Sequence, residues 1–270
     1  MTRRAQAVLM AGGRGTRLYP YTAVLPKPLV PVGDKPVMEL LLTLLRRHGI
    51  TSVIVAVNHL RHLIQSFFGD GSALGMRIEY AVEDEPLGTC GPIGSLFDRL
   101  EDRFLLLNGD LLTDIDLGDL LAQHDAANAD ATVASALRVH QMEYGVLDVD
   151  AEGWLQSYRE KPRTESLVSM GLYVLRREAV RDLVPPGQPL DVPDLLTRMV
   201  GRGRRVMTWR GECLWLDIGR PDDYAQAQDL VAKKPIWLEG GRPVERASIG
   251  GLESLTEDFI TPGAGTSRAL

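Results

Sequence analysis

Cysteine is scarce in this chain, long apolar runs are missing, and no excess of basic charge spans it. The only two cysteines in 270 residues, Cys90 and Cys213, lie far apart and belong to no CxxC pair. That excludes a disulfide framework and a zinc knuckle, and it fits a reducing, cytoplasmic setting. No apolar stretch reaches the ~18 residues of a membrane span. The run Ala7 to Ala11 behind Arg3 and Arg4 is too short for the core of a secretion signal. With 30 basic against 36 acidic side chains the formal net charge is −6, so no global field exists to hold a nucleic-acid backbone. Neither a membrane nor a nucleic acid is expected as a partner.

What remains is the composition of a folded domain. The chain is 44% apolar, enough for a substantial core in one large domain or two small ones. Charge is unevenly spread: residues 1 to 35 carry Arg3, Arg4, Arg14, Arg17, Lys27 and Lys35 against the single acid Asp34. A basic segment on an acidic protein suggests a local anion site.

The apolar run Gln6 to Met10 stops at Ala11-Gly12-Gly13, which reads as a buried strand feeding a glycine loop. Leucines at helical spacing predict a helix over Val37 to His48, with Gly49 at its stop. Strands are expected at Ser52 to Val57, Arg77 to Val82, Arg103 to Leu107, Ala131 to Leu137, Tyr144 to Val149, Trp154 to Arg159 and Ser169 to Leu175. Helical patterns cover Leu60 to Phe68, Pro92 to Leu100, Leu117 to Ala127, Arg177 to Leu183 and Val192 to Gly201. Alternating strands and helices imply βαβ units, hence an α/β fold with a mostly parallel mixed sheet flanked by helices. Past about residue 130 strands follow one another, predicting a smaller, partly antiparallel elaboration. No linker separates the parts, so residues 1–234 read as one domain whose two parts meet at about residue 130. Residues 235–270 read as a tail, in which Ser248-Ile249-Gly250-Gly251 looks like one isolated β-helix rung.

The most pointed local feature is Ala11-Gly12-Gly13-Arg14-Gly15-Thr16-Arg17-Leu18 directly after the first strand. Glycines let backbone N–H groups approach an anion, and Arg14 and Arg17 add charge. It is neither a Walker A loop, lacking GxxxxGK[ST], nor a dinucleotide fingerprint, having Leu18 at the third glycine. Lys27, between Pro26 and Pro28, is a cation on stiff backbone. Asp110 ends an apolar strand and could bind metal or form a turn, while Asp217 could bind metal or cap a helix before Pro221. Asp114 and Asp116 resemble a DxD pair, but Asp116 sits where a helix N-cap belongs. His59 and His62 share a helical face without a third ligand and read as surface histidines.

The run AGGRGTRLYPYTAVLPKPLVPVGDKP resembles the signature of the sugar-1-phosphate nucleotidylyltransferases, the NDP-sugar pyrophosphorylases. Glu85-Pro86-Leu87-Gly88-Thr89-Cys90-Gly91, Asn108-Gly109-Asp110, Glu160-Lys161-Pro162 and Trp215-Leu216-Asp217-Ile218-Gly219-Arg220-Pro221 agree with it in order and spacing, covering roughly residues 6 to 230. The resemblance implies transfer of a nucleotidyl group from a nucleoside triphosphate to a sugar 1-phosphate, with pyrophosphate released and Mg²⁺ as cofactor. Catalysis would fall to Arg17, Lys27, Asp110 and Asp217, the two aspartates holding the metal. Ala11, Gly12, Gly13, Gly15, Thr16, Arg17, Glu83, Pro86, Gly88 and Thr89 would bind the nucleotide. Lys27, Asn108, Gly145, Glu160, Lys161 and Gly171 would bind the sugar phosphate, and the resemblance makes the part to about residue 130 nucleotide-binding and the part over 131–234 sugar-binding. Glu83 stands where pyrimidine-using relatives often carry glutamine. A carboxylate there can accept from guanine N1–H and N2–H₂ together, so GTP with a mannose- or heptose-type 1-phosphate is expected. A UTP- or dTTP-dependent glucose-type transferase and a catalytically silent nucleotide-sugar-binding protein are the alternatives. A glycosyltransferase of related fold is disfavoured by the triphosphate-type loop. The length leaves no room for an appended acyltransferase β-helix, so nucleotidyl transfer alone is expected, from a possible homo-oligomer.

Overall fold

The computed structural model describes residues 5–13 and 15–233. The expectations for Arg3, Arg4, Arg14 and the tail from Pro235 fall outside these. Seven strands build the main sheet: β1 (Gln6–Met10), β2 (Ser52–Val57), β3 (Arg77–Val82), β4 (Arg103–Asn108), β5 (Ala131–Gln141), β6 (Arg163–Arg176) and β7 (Val206–Arg210). Their spatial order is β7-β5-β6-β4-β1-β2-β3. All neighbours pair in parallel except β6, which runs antiparallel between β4 and β5. The predicted mixed, mostly parallel α/β architecture is therefore present.

Six helices accompany the sheet: α1 (Val37–Arg47), α2 (Arg61–Phe68), α3 (Leu117–Ala126), α4 (Arg177–Val180), α5 (Val192–Gly201) and α6 (Pro221–Lys233). Side chains alternate across β1, so Ala7 and Leu9 join a core with Met38, Leu41 and Leu45, whereas Val8 joins the opposite core with Ile93, Leu183 and Leu195. Being covered on both faces explains why the inner strands β1, β2 and β4 read as largely apolar runs. A third, smaller core of Leu18, Val30, Val32, Leu112, Leu216, Ile218 and Ala227 lies beneath α6. Among the described residues no helix is long and apolar enough to cross a membrane.

Several boundaries depart from the sequence pattern for identifiable reasons. Pro92 to Leu100 is not a helix but two 3₁₀ turns, Gly91–Ser95 and Phe97–Arg99. There Cys90 and Gly91 send their N–H groups to Leu190 O, and a Cβ on Gly94 would come within 2.8 Å of Pro185 O. The segment thus lies against residues 184–190 with no room for a side chain at Gly91 or Gly94, and it turns tightly there. The helix expected over Arg177 to Leu183 stops at Val180, and β6 is longer than expected because its first half pairs with the extension of β5. A two-stranded antiparallel ribbon, Val146–Val149 with Leu155–Arg159, forms the elaboration. The pattern missed β7, α6 and the short strands Leu111–Thr113 and Trp215–Asp217, which pair antiparallel.

His124 on α3 is fully buried, with Nδ1 2.8 Å from Thr132 Oγ1 and Nε2 without a hydrogen-bond partner. Burial lowers its pKa from 6.5 to about 4. The unfolded chain therefore takes up this proton first: the group's stabilisation is complete above pH ~6.5 and falls by about 3 kcal/mol as pH drops towards 4. His124→Leu is expected to flatten the decline of Tm over that window in calorimetry. Parallel Tm-against-pH curves for parent and variant would refute this.

Candidate active site

Four adjacent parallel strands end on the same side, and the residues just past their carboxyl ends line one cleft of about 430 Å³: Ala11 and Gly12 after β1, Asn58 after β2, Glu83 after β3, and Gly109 and Asp110 after β4. Between β4 and β1 the chain reverses the direction in which it adds strands, the place where open α/β sheets bind ligands. Gly109 N–H donates to Met10 O at 2.9 Å, closing the two strand ends together.

The glycine loop forms one wall. Gly15 holds φ +63°, and a Cβ there would sit 2.9 Å from Thr22 Cγ2 and 3.2 Å from Lys27 Cβ, so only glycine lets the loop lie on the lysine stem. A Cβ on Gly12 would press on Asn58 Cβ at 3.3 Å and Glu83 Oε1 at 3.4 Å, whereas at Gly13 it meets no described protein atom within 4 Å. The loop thus approaches Asn58 and Glu83 closely and leaves its own backbone facing the cleft.

Lys27 crosses the floor of the cleft. Its ammonium is ion-paired to Asp110 and lies 3.7 Å from Asp217 Oδ1, and the exposed Arg17 is 4.0 Å from Asp217 Oδ2. Burial lowers the lysine pKa, with the neighbouring Asp217 carboxylate opposing the fall. The two aspartates meet because the strands Leu111–Thr113 and Trp215–Asp217 pair and Ile218 N–H donates to Asp110 O at 3.1 Å. Asp217 Oδ1 accepts from Gly219 N–H at 2.8 Å, and a side chain on Gly219 would overlap Lys27 Nζ. Two carboxylates converging on one cationic point, with no third His, Cys, Asp or Glu grouped there among the described residues, are a hard, incomplete oxygen set. It fits a divalent cation that completes its coordination with oxygen ligands from outside the protein.

On the side of β3 Glu83 is buried, which raises its pKa, and its Oε2 accepts from Leu87 N–H at 3.1 Å. Thr89 lines the cleft, but its hydroxyl donates to Asp191 Oδ1 and accepts from Val192 N–H, so it fastens the loop to α5. Gly88, at φ +77°, lets that loop close onto Leu190 O.

The structure therefore gathers Ala11, Gly12, Gly13, Gly15, Thr16, Arg17, Lys27, Glu83, Pro86, Gly88, Thr89, Asn108, Asp110 and Asp217 around one cleft. Gly171 stands behind it. At φ +75°, in a bulge of β6 between Ser169 and Tyr173, it abuts the Asn108 side chain. Gly145, Glu160 and Lys161 are not among the lining residues. They form a separate group on the ribbon, where Gly145 accommodates the ring of Tyr158 and the Tyr158 hydroxyl donates to Glu160 Oε2 at 2.7 Å. Lys161 there holds φ +42°, unusual for a side-chain-bearing residue. Sequence reasoning missed Asn58, whose Nδ2 is buried without a hydrogen-bond partner in the cleft wall. Its signal was available: a polar amide directly after a parallel strand, as with Asp110. Asp116 caps α3 by accepting from Gly118 and Asp119 N–H, and His59 and His62 are both exposed.

Lys27→Met should leave two facing carboxylates without their cation, lowering stability by about 2 kcal/mol, less than for a fully buried pair because the site opens to solvent. Millimolar Mg²⁺ should restore part of the lost Tm in the variant. A Tm equal to the parent's in metal-free buffer would contradict the arrangement.

Curated relatives include the UTP–glucose-1-phosphate uridylyltransferase of Synechocystis sp. It is 34% identical over 86% of this chain and 64% of its own length. The mannose-1-phosphate guanylyltransferase of Mycobacterium tuberculosis is 33% identical over 85% and 66% respectively. The chain thus spans just under two thirds of the length of these two. The D-glycero-alpha-D-manno-heptose 1-phosphate guanylyltransferase of Campylobacter jejuni is 32% identical over 81% of this chain and 96% of its own length. Among solved structures, HddC from Yersinia pseudotuberculosis complexed with GMP-PN superposes with a TM-score of 0.66 at 23% identity, covering 83% of this chain and 98% of that one, a likeness of fold. The Nucleotidyl transferase family profile matches residues 6–234, spanning the glycine loop, Lys27 and both converging aspartates, and the chain belongs to that family.

Proposed function

We propose that this chain is a sugar-1-phosphate nucleotidylyltransferase that uses GTP and a mannose- or heptose-type 1-phosphate and releases pyrophosphate. The observation that carries the reading is the meeting of Lys27 with Asp110 and Asp217 at the foot of the glycine loop. Such a reaction brings two polyanions together, so it needs a fixed cation, loop N–H donors and a metal site, all in one cleft. In the step, an oxygen of the sugar phosphate forms a bond to the α-phosphorus. The bond from that phosphorus to the bridging oxygen of the β-phosphate breaks, and pyrophosphate leaves with the electron pair. The attacking group is already an anion, so no base has to remove a proton. Accordingly the cleft needs no protein nucleophile.

The glycine loop and Arg17 would hold the triphosphate, and Lys27 would offset the charge between the attacking and α-phosphates. Asp110 and Asp217 would hold Mg²⁺, which when bound withdraws charge from phosphate oxygens. Asn108, backed by Gly171, would meet the sugar phosphate from the cleft, with Glu160, Lys161 and Gly145 acting from the ribbon. A nucleoside triphosphate substrate is consistent with a cytoplasmic setting. Buried Glu83, with Oε2 held by Leu87, supports guanine as the base. The guanylyl-transferring relatives agree, while the uridylyl-transferring one keeps UTP as the competing substrate.

A pyrophosphate-release screen crossing nucleoside triphosphates with sugar 1-phosphates tests the reading. Asp110→Asn and Asp217→Asn are each expected to cut release by about a thousandfold while the chain stays folded. Near-parental turnover in both would remove the metal assignment. Glu83→Gln should lower kcat/KM for GTP by roughly 10- to 100-fold, leaving UTP and dTTP within threefold. An unchanged nucleotide ranking would count against guanine and for the uridylyl alternative.

A further inference from the structure

We infer that Arg138 and Asp223, outside the cleft lining, are positioning residues that set the metal-facing geometry of Asp217; this rests on the metal role proposed above. Asp223 is 5% exposed, in the first turn of α6. Its Oδ2 accepts from two donors at once, Arg138 Nη2 at 2.8 Å and the Asp217 backbone N–H at 2.9 Å. The Arg138 guanidinium also lies 4.5 Å over the Trp215 ring. A single arginine therefore holds the strand Trp215–Asp217 at two points, through the indole at its start and through Asp223 at its end.

The fixed backbone then has one way to present the carboxylate. Asp217 Oδ1 accepts from Gly219 N–H, so Oδ2 and the free side of Oδ1 face Arg17 and Lys27. The same clamp reaches the sugar side: Trp215 Nε1–H donates to Met170 O at 2.9 Å, next to Gly171, which abuts Asn108. Anchoring α6 does not require this ion pair. Ala227, Tyr224, Leu230 and Val231 pack against the small core, and Gln228 and Tyr224 bond to Pro31 O. Without Arg138 the buried Asp223 would be an uncompensated anion six residues from the metal-facing Asp217, and the cheapest relief is to move the turn that carries both.

The test is a titration of the full chain with Mn²⁺, followed by electron paramagnetic resonance, alone and with GTP or UTP but without sugar phosphate, so that binding is read without turnover. Arg138→Gln and Asp223→Asn should weaken Mn²⁺ binding about tenfold. In steady state, KM for the triphosphate at saturating metal should stay within twofold while kcat falls. Arg138→Lys, which keeps charge but loses the stacked fork, should recover part of the affinity. Gln228→Ala removes an α6 anchor remote from Asp217; it should lower Tm and leave Mn²⁺ affinity unchanged. Folded Arg138 variants that bind Mn²⁺ within twofold of the parent would overturn the inference, as would loss of affinity in Gln228→Ala equal to theirs. If Asp223→Asn does not fold, the Arg138 variants decide, since that side chain is about a third exposed. A parent that binds Mn²⁺ normally yet releases no pyrophosphate with any substrate pair would refute the proposed reaction and leave this inference standing. A parent that does not bind Mn²⁺ would refute both.

Discussion

One largely buried cation shared by two carboxylates constrains the rest of this molecule. Lys27, Asp110 and Asp217 come from three distant parts of the chain, and each charge would be costly to bury alone. They are tolerable only together, so every element that carries one must arrive in register with the others. The paired prolines stiffen the lysine's backbone, β4 delivers Asp110, and the short pairing of Leu111–Thr113 with Trp215–Asp217 delivers the third member. Gly219 follows from the same requirement, because a side chain there would occupy the place of the ammonium.

The surroundings of this triad explain features that look unrelated in the linear chain. Gly15 is glycine because the loop must lie on the lysine stem, and Gly171 because the bulge of β6 must meet Asn108. The helix α6 seals a separate small core over the loop while its first turn supplies Asp223 to the backbone of Asp217. The glycine loop, the converging carboxylates and Glu83 are thus held by different elements around one cleft.

Much of the scaffold was legible because it is locally encoded. The runs of β1, β2 and β4 are apolar throughout since both sheet faces are covered, and α1 shows its leucine spacing since only one face is. The loop could be read from its glycines, and Asp116 as a cap from its position before Leu117. Where local pattern competed with packing, packing won: Pro92 to Leu100 has helical spacing, yet Gly94 within it and Gly91 just before it lie against the Pro185 and Gln188 carbonyls, and it folds as 3₁₀ turns. The strand β7 and helix α6 were overlooked because an edge strand and a helix over a small core bury few side chains, leaving a weak periodic signal.

The site residues divide along the same line. Glycine loop, Lys27, Asp110 and Asp217 are recognisable from motif order, since each motif is contiguous and backbone demands restrict its residue types. Asn58 is recognisable only from its place at a strand end, and Thr89 changes meaning once its hydroxyl is found bound to Asp191 and Val192. The amino-acid sequence by itself determined the α/β class, the glycine loop and the chemical character of the residues that line the cleft, because these depend on neighbours within a few positions. Only the tertiary structure decided that two aspartates from opposite halves of the chain share one cation and that Arg138 and Asp223 hold one of them. It also decided that Glu160 and Lys161 stand on a separate ribbon. Those relations depend on long-range strand pairing and on the cost of burying unpaired charge, which no local spacing records.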